Sequence, residues 1–167
     1  VDATVDGITH AVDTGFLVFN DRTYPNLVKL FAHLGVEAAD SDMSFSVRIG
    51  DGALEWSGTS LATVFAQPSN LAKPRFLRML ADLIRFNREA SRLAESGAPV
   101  TGTLGEFLDA RGYGREVREL YLIPMAAGIW STPATQINRF PMQTFLHFCA
   151  NHGLLAVSNR PQWRTVK

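Results

Sequence analysis

Between Pro74 and about Glu95 the apolar residues Phe76, Leu80, Leu83 and Ala90 recur at helical spacing, opposite Arg75, Arg78, Asp82, Arg85, Glu89 and Arg92. Such a stripe has to lie against other apolar surface, so it fixes the longest helix of the chain and one wall of its core. The charged face mixes both signs at i, i+3 and i, i+4 spacing. That predicts a solvated, ion-paired surface, each pair worth roughly 0.2–0.5 kcal/mol, in preference to a site for phosphate or an acidic partner.

The residues before this helix have a period of two. Val1, Ala3 and Val5 alternate with polar residues, as do Ile8, His10 and Val12, and Asp6-Gly7 lies between them. Asp-Gly tolerates the positive φ of a type I′ turn, which predicts a hairpin. The apolar run Asp13-Thr14-Gly15-Phe16-Leu17-Val18-Phe19 follows, with a permissive glycine near its start. Met43, Phe45, Val47 and Ile49 alternate, Gly50-Asp51-Gly52 turns the chain, and Leu54 and Trp56 return, which predicts a second hairpin with one buried face. Between the hairpins, Thr23 reads as an N-cap, Pro25 as first-turn proline, Leu27, Leu30, Phe31 and Leu34 as a helical stripe, and Gly35 as the C-cap.

Past the second hairpin the pattern is helical. Ser60 to Ala66 predicts a short helix ending near Pro68. Thr103 and Glu106 form a capping box for a helix that closes at Gly112. Arg115 to Trp130 reads as a helix kinked or broken at Pro124, and Pro141 to Asn151 as a last helix closed by Gly153. Strands followed by helices place the chain in the α+β class, helix-rich with short antiparallel hairpins.

Self-contained catalytic motifs are missing. Gly50-Asp51-Gly52 and Gly112-Tyr113-Gly114 lack the third glycine of G-x-G-x-x-G, and no P-loop, G-x-S-x-G or H-E-x-x-H occurs. His147, Cys149 and His152 lie close together in sequence, but i, i+2 residues point to different sides of a helix and His147 to His152 is not i, i+4. Core packing of Cys149 is therefore expected, with no metal site. Phe140, Phe145 and Phe148 are expected to build core in preference to a substrate tunnel. A formal net charge of +0 gives no pull toward nucleic acid. With a single cysteine no internal disulfide can form, which fits a reducing compartment. No apolar run approaches the roughly 20 residues of a membrane-spanning helix.

Several blocks, in order, resemble the FAD-dependent amine oxidoreductases, the superfamily of flavin-containing amine oxidases, protoporphyrinogen oxidases and phytoene desaturases. Val5-Asp6-Gly7 through Val18, then Tyr24-Pro25-Asn26-Leu27 and Leu34-Gly35-Val36, look like the segment that follows the flavin fingerprint in those families. The resemblance is strongest to a bacterial branch of predicted NAD/FAD-binding proteins. It is carried by Asp13 to Asn20, Asp42-Met43-Ser44-Phe45-Ser46-Val47, Leu122-Ile123-Pro124-Met125-Ala126-Ala127-Gly128-Ile129-Trp130-Ser131, Asn151-His152-Gly153-Leu154-Leu155, and Pro161 to Val166. Together these cover nearly the whole chain.

The resemblance implies an internal piece of a longer enzyme, without the dinucleotide-binding core and its G-x-G-x-x-G. It implies residues 1–16 as a hairpin of the FAD-binding domain, 17–160 as a substrate or cap domain, and 161–167 as the return toward the FAD-binding domain. The cofactor would be FAD in the intact protein, not held by this piece alone. The substrate would be an amine or a partly apolar C–C or C–N compound, oxidised by hydride transfer. Thr14, Gly15, Phe16 and Leu17 match the segment that passes the flavin ring, and Gly15 has no Cβ to hold the backbone away from it. Trp130 and Trp163 are candidates for the substrate chamber. The expected location is cytoplasmic or peripheral to a membrane. The face that would meet the absent domain is expected to be apolar and open, with self-association through it. The alternative is a stand-alone helical module that binds a lipid or a protein.

Overall fold

The computed structural model describes residues 1–12, 18–43, 45–58, 60–156 and 161–167. It begins with β1 (Asp2–Val5), β2 (Ile8–Ala11), β3 (Val18–Phe19), α1 (Pro25–Leu34) and β4 (Ala38–Ser41). Next come β5 (Ser46–Ile49), β6 (Leu54–Ser57), α2 (Leu61–Val64), a 3-10 turn at Pro68–Ala72, α3 (Pro74–Ser96) and α4 (Leu104–Ala110). Then follow α5 (Arg115–Val117), a π-helical turn at Arg118–Leu122, α6 (Ile123–Trp130), α7 (Ala134–Ile137), α8 (Met142–Asn151) and β7 (Trp163–Val166). The fold is α+β, with helices predominant and all strand pairs antiparallel. It divides into two compact units: Val1–Met43 with Pro161–Lys167, and Ser44–Arg160.

In the first unit β1 pairs with β2 in the register Val5↔Ile8, so Asp6 (φ 51) and Gly7 (φ 77) form the two-residue turn that their sequence demands. A separate three-stranded sheet has the order β3-β7-β4, with the last strand of the chain in the middle. Gly35 caps α1 in the left-handed conformation at φ 68. The N-cap is Tyr24, not Thr23, and it gives no side-chain hydrogen bond to the helix. Thr23 is drawn upstream instead: Asn20 Oδ1 accepts from Thr23 N (2.9 Å), Thr23 Oγ1 (3.0 Å) and Arg22 N (3.1 Å), and this turn aims the chain into α1.

This unit has little core of its own. Among its described residues only Phe19, Asn20 and Trp163 are buried. Val5 and Ile8 are 60% and 61% exposed, and no residue of α1 is buried although Leu30 and Leu34 continue its apolar stripe. An apolar ribbon face and an apolar helix face are present and uncovered.

The second unit is built on α3. The helix runs one residue past the expected end and stops at Gly97 in the left-handed conformation. Its buried line is Phe76, Met79, Phe86 and Ala90. The expected Leu80 and Leu83 are only half-buried at its flank, because the core approaches α3 from a slightly rotated direction. Phe76 and Met79 pack with Val47, Leu54 and Trp56 of the second hairpin and with Leu120. Phe86 and Ala90 pack with Leu104, Leu108, Val117, Met142 and Phe145. One helix thus serves both halves of the core.

Polar contacts lock the hairpin to the segment before α3. Gln67 Nε2 donates to Gly52 O (2.9 Å) and Gln67 Oε1 accepts from Glu55 N (3.1 Å). The fully buried Asn70 donates to Glu55 O (2.8 Å), and Lys73 Nζ donates to Ala53 O (2.6 Å) and Asn70 Oδ1 (2.9 Å).

The charged face of α3 is exposed and ion-paired as expected, and part of it also grips the chain. Asp82 Oδ2 accepts from Gly114 N (2.9 Å), Glu89 accepts from Tyr113 OH (2.7 Å), and Arg85 donates to Arg111 O and Gly112 O while lying 4.0 Å over the Tyr113 ring. Only Arg85–Asp82 is an ion pair within the helix; Arg75, Arg78 and Glu89 reach Glu119, Glu116 and Arg111. The face holds the turn before α5 against α3. At Pro124 the helical path continues, but the α-helix is interrupted just ahead of it. The preceding π turn, closed by Ile123 N–H on Arg118 O, takes up the register change and α6 starts with Pro124 in its first turn. The capping box of α4 forms as predicted, with Glu106 N donating to Thr103 Oγ1 (3.2 Å) and Thr103 N to Glu106 Oε2 (2.8 Å).

Candidate functional site

Thr14, Gly15, Phe16 and Leu17, expected at the flavin ring, lie outside the described residues, as does the expected boundary between residues 16 and 17. Both flanks are defined. On one side the ribbon is tied off by Val12 N–H to Val1 O (2.7 Å). On the other, β3 enters the sheet with Val18 opposite Thr165 and Phe19 opposite Arg164.

β7 therefore brings Trp163 into the same sheet as the strand that follows the candidate segment. Trp163 pairs with Ser41 of β4 and is buried. Its neighbour Arg164 stands between two carboxylates, Asp21 (3.4 Å) and Asp40 (3.9 Å). At the end of β3, Asn20 is completely buried. Its Oδ1 is saturated by the turn just described, which fixes the orientation of the carboxamide and leaves Nδ2 without a hydrogen-bond partner among the described residues. A buried donor left unpaired costs about 1–3 kcal/mol.

Trp130 belongs to the other unit, at the end of α6, where Ser131 caps the helix in the left-handed conformation at φ 47. Its ring lies 4.6 Å from Phe140, 4.6 Å from Phe148 and 5.8 Å from Phe145. Phe145 is fully buried while Trp130, Phe140 and Phe148 are half-buried, so these rings form one wall of the core with an accessible edge. Core packing is the role the sequence predicts for Phe140, Phe145 and Phe148, and Trp130, a candidate for the substrate chamber, packs against the same cluster.

His152 stacks on Phe148 at 4.0 Å, and its Nδ1 lies 2.9 Å from Phe148 O, which only accepts; Nδ1 thus carries the proton. His147 Nε2 is 2.6 Å from Gln143 Nε2. Cys149 is buried as expected, and burial pushes its thiol up to about 12, so it does not supply a thiolate at neutral pH. Among the described residues no group of three or more His, Cys, Asp or Glu could hold a metal, and no helix is long and apolar enough to cross a membrane.

Asn20 and the Gly114–Asp82 clamp were not foreseen in the sequence. Asn-x-x-Thr ahead of a proline-started helix is a signal that could have found the first; nothing local marks the second. No protein-family model matches the chain, and no curated protein matches it.

Proposed function

We propose that this chain is the substrate-side portion of a flavin-dependent oxidoreductase of the amine-oxidase-like superfamily, and that the intact protein oxidises an amine or a partly apolar C–C or C–N substrate. One observation carries the proposal. The unit that contains the resembling segment has three buried described residues and two uncovered apolar faces, on the β1–β2 ribbon and on α1. Val5, Ile8, Leu30 and Leu34 are 49–62% exposed, so covering them would stabilise the protein by roughly 0.7–1.9 kcal/mol per side chain; a second body is called for, and the resemblance supplies a dinucleotide-binding domain.

The described residues fit FAD in one respect and lack another. The unspent Nδ2 of Asn20, just after the candidate segment, is a donor of the kind that carbonyl oxygens of a flavin would satisfy. The phosphate-binding glycine turn is missing from the sequence, so the cofactor would be held chiefly by the other domain. When bound, FAD supplies the hydride acceptor. Backbone N–H groups of Thr14 to Leu17 would orient it, with Gly15 permitting close approach. Trp163, buried in β7, would support the strand behind that segment.

The test is to produce the full-length polypeptide and record its visible absorbance with and without added FAD. A yellow protein whose flavin band is bleached anaerobically by an oxidisable amine or apolar substrate is expected. A folded, colourless full-length protein that takes up no FAD would refute the proposal and favour the stand-alone binding module.

A further inference from the structure

α3 carries a second apolar line beside the one that enters the core. Leu77, Ala81 and Ile84 stand at i, i+4 and i+7, the spacing with which a helix meets another surface, with the half-buried Leu80 between them and the core. Leu77 is 43% and Ile84 57% exposed, and Leu71 in the 3-10 turn just ahead is 59% exposed. Leu77 and Ile84 lie roughly 10 Å apart along the axis.

The line ends in charge of one sign. Arg88 stands at i+4 from Ile84, and Arg92 one turn beyond. Elsewhere on α3 ion pairing is thorough: Arg75, Arg78, Arg85 and Glu89 all have partners. Arg88 and Arg92 have none among the described residues. The first acid on this side, Glu95, is roughly 16 Å beyond Ile84.

We propose that Leu71, Leu77, Ile84, Arg88 and Arg92 form a docking surface for an anionic lipid bilayer. The aliphatic side chains enter the boundary between headgroups and acyl chains, and the two guanidinium groups meet lipid phosphates. Charge selects this occupant. A second copy packed antiparallel, with Leu77 against Ile84, would set Arg88 against Lys73 and place like charges together. A neutral apolar partner would leave both arginines unanswered. The lipid proposal does not depend on the flavin proposal, and each can fail alone.

The test is co-sedimentation of the purified chain with vesicles of equimolar phosphatidylglycerol and phosphatidylcholine, against vesicles of phosphatidylcholine alone. Binding to the anionic vesicles only, weakening with added salt, is expected. Leu77→Gln with Ile84→Gln should lower the partition at least about tenfold, and Arg88→Gln with Arg92→Gln about fivefold per arginine. Val5→Thr with Ile8→Thr, in the other unit, should leave it unchanged. Circular dichroism confirms that each variant is folded, and sedimentation velocity is run alongside. No pelleting, equal pelleting on both vesicles, loss only in the Val5/Ile8 variant, or a dimer dispersed by the Leu77/Ile84 variant would each overturn the proposal.

Discussion

Asp82→Ala separates a solvated charged face from a structural clamp. If α3 simply displayed its charges to water, the change would remove one i, i+3 pair with Arg85, worth about 0.2–1 kcal/mol and lowered further by salt. In the structure the other carboxylate oxygen accepts the Gly114 N–H at 2.9 Å, and a hydrogen bond to a charged group is worth about 1.5–3 kcal/mol. The expected loss is therefore about 2–3 kcal/mol, read as a shift in urea denaturation followed by far-ultraviolet circular dichroism. Arg92→Ala, on the same face but without an ion-pair partner among the described residues, should stay within about 0.5 kcal/mol of the parent. Gly114 supplies an internal check. A Cβ there would stand 2.8 Å from Asp82 Oδ2, so Gly114→Ala should destabilise the parent yet be better tolerated in Asp82→Ala. Equal small losses for Asp82→Ala and Arg92→Ala, or a neutral Gly114→Ala in the parent, would refute the clamp.

Burial and the Glu89 carboxylate raise the Tyr113 phenol above its ordinary value of 10.0. Folding thus favours the protonated form, and this contribution is complete below pH 10 and declines as pH rises from there toward the folded-state value. Tyr113→Phe should be less stable at neutral pH by about 1.5–3 kcal/mol and should show a flatter decline in alkali, measured by denaturation at a series of pH values; an unchanged alkaline slope would count against it. Cys149, raised by burial from 9.0 to about 12, should resist an aromatic disulfide reagent at neutral pH and react fully in denaturant. Stability tied to this thiol likewise declines as pH rises above 9. Rapid labelling of the native chain would show that the α8 core is open.

Local chemistry made the turns and caps legible. Asp6-Gly7, Gly35 and the Thr103–Glu106 box each fix a conformation through neighbours a few residues away, and each formed as its sequence dictates. The burial of Val47, Leu54 and Trp56 follows from strict alternation. Where the partner is distant in sequence, local spacing points the wrong way. The acids of α3 look like i, i+3 and i, i+4 partners for its arginines; Asp82 does pair with Arg85, but its other oxygen and the Glu89 carboxylate are engaged by Gly114, Tyr113 and Arg111. The choice of Met79 and Phe86 over Leu80 was set by the direction from which the second hairpin and α8 approach, which helical periodicity cannot specify. Pro124 marks the interruption between Arg115 and Trp130 that its sequence predicts, but the form it takes, a π turn ahead of the proline, has no composition signature. Of the two tryptophans that the resemblance offers for a substrate chamber, Trp130 lies in one unit and Trp163 in the other.

The order β3-β7-β4 has a consequence for synthesis on the ribosome. The central strand of that sheet is made after all of Ser44–Arg160, so residues 18–41 wait without their template while the intervening helices emerge. The continuous unit can consolidate first and the discontinuous one is sealed last. During that interval the ribbon and the leucines of α1 are at their most vulnerable to aggregation and to chaperone capture.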